Sequence, residues 1–286
     1  MTSRAALAAT RSLDILDYLA AHPDQGHTMT ELARGLDVNP SSMHGILGVM
    51  TEAGYVVRHP AHKTYRLGPI AAAIGQAAAQ QDPVVELALQ EVDILSREFE
   101  VESVVLAVAR DEMVVIGRSG PATGRFLSFI GQRWQHSPPM GSIFVAWSGQ
   151  ESVDRWLDGA DPMLDETSRQ GFRNVLHTVR ADGQAVVVVV DNEWRLAVNG
   201  SGRSTADGGY IVQLEPGEAY RVFYIGHPVF NAFGEVVVGL FVNGPSARLT
   251  VDRINEISHR LADSTARIMS RTGGRMPTVE LGSAGL

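Results

Sequence analysis

The stretch that most constrains the fold runs from Thr28 to Leu67, TMTELARGLDVNPSSMHGILGVMTEAGYVVRHPAHKTYRL. Thr28 and Glu31 stand at capping-box spacing: the threonine hydroxyl can take the backbone N–H of Glu31 while the glutamate reaches back, which starts a helix at a defined point. After Leu36-Asp37-Val38, Asn39 offers an N-cap and Pro40 a first helical residue whose missing N–H costs nothing there. Met43, Ile46, Leu47 and Met50 keep the 3.6-residue period of a helix with one buried face, leaving Ser41, Ser42, His44 and Gly45 at its exposed start. Gly54 closes that helix, and Tyr55–Arg58 and Lys63–Leu67 read as two short strands around His59-Pro60-Ala61-His62. Helix, turn, helix and hairpin in this order are the parts of a winged helix-turn-helix. Its second helix enters the major groove, and its hairpin touches the sugar-phosphate backbone.

At 286 residues the chain is too long for that module alone and fits two domains. It has no cysteine, which removes disulfides and thiolate metal sites. With no N-terminal apolar segment and no run long enough to span a bilayer, it is expected to be cytoplasmic and to lack a membrane partner. The net charge of −8 looks wrong for a nucleic-acid binder until it is divided along the chain. Residues 1–80 carry six Lys and Arg against six Asp and Glu, so the whole excess falls on the remainder. Five of the nine histidines also lie in this first segment, and partial protonation near a polyanion would add positive charge. The expected DNA affinity is modest and salt-sensitive, relying on two modules acting together.

Around the reader, residues 1–10 read as a mobile tail. Arg11–Ala21 reads as a third helix with Leu13, Leu16, Leu19 and Ala20 on one face and Ile15 beside it. Gly68–Gln80 is alanine-rich and reads as a connecting helix, and Asp82-Pro83 restarts a helix striped by Val85, Leu89, Val92, Leu95 and Phe99. From Ser103 the period changes. Strands are expected at 103–110, 113–118, 126–130, 185–191, 210–214, 220–229 and 236–242, with helices at 151–157 and 166–179. An irregular loop and short helix are expected across 131–148, and an exposed excursion across 192–209. Thr250 caps a last helix carrying Val251, Ile254, Ile257, Leu261, Thr265 and Ile268, and from Arg271 the chain reads as a disordered tail. The fold class is α+β, and the boundaries are 1–67 for the reader, 68–81 for the linker helix, 82–272 for the second domain and 273–286 for the tail.

The segments Arg11–Leu16, Glu31–Leu47, Gly54-Tyr55, Tyr65–Gly68, Gly131–Trp147, Gly209-Tyr210 and His227–Pro245, in this order and at these distances, resemble the IclR family of bacterial transcription regulators over nearly the whole chain. The resemblance implies an N-terminal winged helix on operator DNA, a C-terminal GAF-like effector-binding domain, homodimers or homotetramers, and a small organic or aromatic acid as effector. It aligns Arg11 with a phosphate-contacting arginine and Ser41, Ser42 and His44 with the recognition helix. Gly45 stands where the family usually has arginine. The loop Ser137–Ser142 stands where relatives offer backbone N–H groups to a ligand carboxylate. Tyr224, Phe241 and Asn243 replace a Cys and two Ser, which suggests a larger, flatter ligand with Asn243 as polar handle.

The residues expected to meet DNA are therefore Arg11, Thr28, Asn39, Ser41, Ser42, Met43, His44, Arg58, His62 and Lys63, the last being the only lysine in the chain. Those expected to meet effector are Trp134, Pro139, Met140, Gly141, Ser142, Leu214, Tyr224, Phe241 and Asn243, although Tyr224 and Phe241 suit core packing as well. No cofactor is implied, and no metal, since His59 and His62 lack a third ligand nearby in sequence. The favoured function is a ligand-responsive regulator, a repressor of a catabolic operon. The alternatives are a hydrolase with an accessory winged helix, against which stands the absence of any G-x-S-x-G, H-E-x-x-H or P-loop, and a ligand sensor that does not touch DNA.

Overall fold

A computed structural model describes residues 4–23, 25–121, 128–198 and 210–277. The chain divides into two compact units, residues 1–83 with 129–132, and 84–128 with 133–286.

The first unit comprises α1 (Arg4–Ala21), β1 (His27–Thr28), α2 (Met29–Gly35), α3 (Pro40–Glu52), β2 (Val56–Arg58), β3 (Thr64–Leu67) and α4 (Pro69–Gln81). Both halves of the capping box form at Thr28 and Glu31, and Asn39 accepts the amide of Ser42 at 2.8 Å. The three strands pair in the order β1-β3-β2. Ile15, Leu19, Leu32, Met43, Leu47, Val56 and Tyr65 close one small core under them. Two expectations change. The helix begins at Arg4 instead of following a mobile tail, because Ala5–Ala9 consists of strong helix formers. Its buried stripe runs through Ile15 and Leu19, leaving Leu13 62% exposed. Helix α4 buries no residue.

The second unit contains α5 (Pro83–Phe99), β4 (Ser103–Ala109), β5 (Glu112–Ser119), β6 (Arg133–Gln135), α6 (Ser142–Val145), α7 (Gln150–Asp158), α8 (Glu166–Asp182), β7 (Ala185–Val190), β8 (Glu193–Val198), β9 (Ile211–Gln213), β10 (Ala219–Phe230), β11 (Val236–Asn243), β12 (Leu249–Thr250) and α9 (Val251–Thr272). Its sheet runs β6-β5-β4-β11-β10-β7-β8-β9, with β12 beside β10. Because successive side chains point to opposite faces, this central sheet carries two cores. Val186, Val188, Ile225 and Leu240 face α5 and α9. Val187, Tyr224 and Phe241 face α6, α7 and α8. On the first face, Arg260 and Arg267 of α9 reach Glu98 and Glu91 of α5, so a seven-residue spacing on each helix ties the two along their length.

Three sequence expectations are corrected in this unit. Residues 128–130 form no strand and the pairing element is β6, while 126 and 127 lie outside the described residues. Residues 193–198 are strand β8, antiparallel to β7, and not part of an exposed excursion. Residues 199–209 lie outside the described residues. The helix continues to Thr272 and Arg275 beyond it is tied down, donating from its amide to Asn231 O at 3.2 Å and from Nε to Ala232 O at 3.0 Å, while residues 278–286 of the expected tail lie outside the described residues. Among the described residues, no helix is long and apolar enough to cross a membrane.

Candidate DNA-reading face and effector cavity

On α3, Ser41, His44 and Gly45 are exposed and Ser42 is half-buried, so the helix start offers hydroxyls and an imidazole to its surroundings. An added Cβ at Gly45 would meet nothing within 4 Å. Met43 is a correction. It is 0% exposed, packed in the core of the unit, and cannot reach a base edge. Thr28 and Asn39 act locally, because their side-chain oxygens already take the amides of Glu31 and Ser42. Arg11 is half-buried on α1.

The wing tip is built tightly. His59 N donates to Thr64 O at 2.7 Å and Lys63 N to His59 O at 2.9 Å, with Lys63 held at φ +57°. His59 Nδ1 accepts the amides of Ala61 and His62 at 3.3 and 3.2 Å, which leaves Nε2 to carry the ring proton. The His59 and His62 rings lie 4.6 Å apart, and the Arg58 guanidinium stands 5.7 Å over the Tyr65 ring. Arg58, His62 and Lys63 are all exposed at this tip.

In the second unit a cavity of about 460 Å³ opens between the sheet and its helical cover. Pro139 and Ser142 line it from the loop and start of α6, Phe172 and Val175 from α8, and Val187 from β7. Asn192 lines it from the β7–β8 turn and Glu193 to Leu196 from β8, and Tyr210 closes it. Its walls are aromatic: Phe172 and Tyr210 lie 4.5 Å apart, and Trp194 stacks on Phe223 at 4.5 Å and 17°. Ser142 is 2% exposed and hydrogen-bonds with the phenol of Tyr224. Burial pushes that phenol up to about 12, the serine acting in the opposite direction, so Tyr224 is a neutral hydrogen-bonding group at neutral pH. Arg195 pairs with Glu193 two residues away on the same strand.

Of the nine residues expected at the effector, Pro139 and Ser142 line this cavity. Tyr224 and Phe241 lie beneath it in the packed layer, their rings 5.3 Å apart. Gly141 is the left-handed N-cap of α6 at φ +78°, and Met140 gives its carbonyl to Trp156 Nε1 at 2.8 Å. Trp134 packs on β6 outside the cavity. Two residues are corrections. Leu214 points into the opposite core, against α5 and α9. Asn243 is not a polar handle: its amide donates to Glu102 at 2.5 Å and to Ser128 at 3.0 Å. Glu102 is 1% exposed and also takes Arg118 Nε at 2.6 Å, so a buried carboxylate, rather than a ligand, claims Asn243.

The residues missed were Phe172, Val175, Val187, Tyr210 and the whole run Asn192–Leu196. The hairpin signal for that run was present. Asp191 and Asn192 both take positive φ, 50° and 63°, and Asp-Asn between a valine run and Glu-Trp-Arg-Leu-Ala-Val suits a two-residue turn.

Elsewhere, His227 on β10 is buried, its Nε2 3.3 Å from Ser258 Oγ, which itself bonds Gln184. Burial, with His259 nearby, pushes His227 down to about 3. Among the described residues no group of three or more His, Asp or Glu is placed to hold a metal ion.

Residues 8–60 match the family model of the IclR helix-turn-helix domain. The chain is 25% identical over 251 residues to the HTH-type transcriptional regulator KdgR of Escherichia coli, a match covering 86% of this chain and 85% of the relative. It is 25% identical over 277 residues to the regulator BhcR of Paracoccus denitrificans, covering 91% and 85%. The crystal structure of an IclR transcriptional regulator from Alicyclobacillus acidocaldarius superposes with a TM-score of 0.70 at 21% identity, covering 93% of this chain and 98% of that one. An IclR homolog from Microbacterium hydrocarbonoxydans complexed with 4-hydroxybenzoate gives 0.65 at 14% identity, covering 93% and 99%. At these identities the solved structures establish the shared fold.

Proposed function

We infer that this chain, which belongs to the IclR family, represses a catabolic operon and releases its operator when a small aromatic or other organic acid fills the cavity beside Ser142. It is a transcriptional regulator of IclR type with a ligand-binding domain. The observation that carries the finer reading is the cavity itself. About 460 Å³ is within the range of small-molecule sites, and the Phe172, Trp194 and Tyr210 rings give a single-ring ligand faces to lie against. The buried Ser142 hydroxyl supplies a directional contact. A relative of the same fold holds 4-hydroxybenzoate, a ligand of this size and kind.

At the other end, Ser41, Ser42 and His44 would face base edges and phosphates, with Arg11, Arg58, His62 and Lys63 on the backbone. The neutral charge balance of this unit favours a working form of two or four chains, with two recognition helices about 34 Å apart on a pseudo-palindromic site. A coupling of about 1–3 kcal/mol between effector and operator would change occupancy several-fold or more.

The test is a mobility shift of purified full-length protein on DNA upstream of its own gene and its neighbouring operon, with 4-hydroxybenzoate as probe. The expected result is a shifted band that the probe releases, with release blunted in Ser142→Ala and Val175→Phe. No preference for that DNA over random duplex at low salt would sink the reading.

A further inference from the structure

A second cavity, of about 510 Å³, lies on the same covered face of the sheet but belongs to different elements. It is bounded by the β4–β5 turn, the end of β6, α6 and α7. Phe144, Val145 and Trp156 give it an apolar floor, and Ser148 and Ser152 supply hydroxyls. His136 lines it with a fixed tautomer: Nε2 stands 3.2 Å from the Gly141 carbonyl, so it carries the proton and Nδ1 is left as an acceptor. Burial lowers His136 from its ordinary value, which keeps the ring neutral.

The cation of this cavity is Arg110. It is an exposed residue at φ +58° that lines the cavity from the β4–β5 turn, beside Val108, and among the described residues no carboxylate forms an ion pair with it. The other charges at the lining are accounted for differently. Arg155 bonds Glu151, and Asp158 bonds Arg169. Asp111 stands next to Arg110 and acts electrostatically on His136. One unpaired guanidinium with two carboxylates close by favours a monoanion and repels a dianion.

We propose that this cavity is a second ligand site, taking a small hydroxy-monocarboxylate: the carboxylate on Arg110, the hydroxyl donating to His136 Nδ1, and the apolar body on Phe144 and Trp156. It is separate from the cavity beside Ser142 yet shares a wall with it. Pro139 and Ser142 line one side of the segment 136–145, and His136, Phe144 and Val145 line the other. Trp156, on the floor of the second cavity, holds the Met140 carbonyl of that segment. Filling the second cavity therefore fixes one wall of the first.

The test is calorimetry on the full-length protein with 2-hydroxy-4-methylpentanoate as probe and malate as the dianionic comparator. The probe should bind, malate should bind at least about tenfold more weakly, and Arg110→Gln should weaken the probe about tenfold or more. Val175→Phe, which fills only the first cavity, should leave probe binding within about twofold. Absence of binding at about 10 mM probe overturns the proposal. So does binding lost in Val175→Phe and retained in Arg110→Gln, which would assign the probe to the first cavity. The R110Q variant sits on an exposed turn, and an unchanged thermal melt separates its effect from unfolding.

Discussion

Gly45 offers a direct way to ask whether the exposed start of α3 meets DNA. It lies inside the helix Pro40–Glu52, and a side chain built there encounters nothing within 4 Å, so substitution adds no clash. Two effects of Gly45→Arg can be separated in advance. Replacing glycine in a helix interior should raise stability by about 0.8 kcal/mol, since arginine ranks close to alanine in helix propensity. If the residue faces the duplex, the guanidinium also gains a charge-assisted bond to phosphate of about 1.5 kcal/mol, roughly a tenfold tightening at low salt. One more neutralised phosphate steepens the dependence of log K on log salt by about 0.9 per reader. Between 50 and 200 mM salt that extra slope alone amounts to a factor of about 3.5. Gly45→Ala is the control: it keeps the stability gain and carries no charge. Fluorescence anisotropy on operator DNA across a salt series, beside urea melts of all three proteins, reads both quantities. Should G45R match G45A in affinity and salt slope while both melt later than the parent, the exposed face of α3 does not meet DNA. If both variants melt earlier, the helix placement of Gly45 is wrong.

Three further outcomes are expected. His227 sits near 3 when folded against 6.5 when free, so its contribution is complete above pH 6.5 and is lost as pH falls below it. At pH 5 that loss is about 2 kcal/mol, before most carboxylates titrate, and His227→Gln should flatten the pH slope of urea unfolding; an unchanged slope refutes the assignment. Lys63→Asn keeps a residue that tolerates φ +57° but removes the charge, so the wing should fold normally while the salt slope of operator binding drops by about 1 per reader. Glu102→Ala leaves Arg118 and Asn243 without their shared acceptor and should cost about 3 kcal/mol in chemical denaturation. A cost near zero would show that Ser128 and water replace the carboxylate.

What could be read in advance divides along a physical line. The reader was legible because its signals are local: Thr28 caps three residues ahead, Asn39 caps Ser42, and the period of Met43, Leu47 and Met50 is set within one helix. Each of these choices is decided by neighbours a turn away. Most strands of the second unit's sheet were located, β6, β8 and β12 excepted, but the face a strand residue occupies is fixed by pairing partners far along the chain, and a shift of one residue exchanges the two cores. Leu214 shows this. Strand β9 was placed to within a residue at each end, yet Leu214, just past it, joins the α5 and α9 core instead of the cavity. Asn243 shows a related failure, since its register opposite Tyr224 follows the pairing of β10 and β11, while Glu102, 141 residues away, decides where its amide points. Trp194 and Arg195 carry the same lesson into the effector cavity. Alternation puts Trp194 and Leu196 toward the helical cover, with Leu196 opposite Val187, and sets Arg195 opposite Val188 of the other core. The strand thus presents mainly aromatic and aliphatic surface to the cavity, and Arg195, which also lines it, is paired with Glu193. In the proposed reading, directional selection of the ligand then falls to the loop and start of α6 at Ser142, the segment whose other side forms the second cavity, which Arg110 lines from the β4–β5 turn.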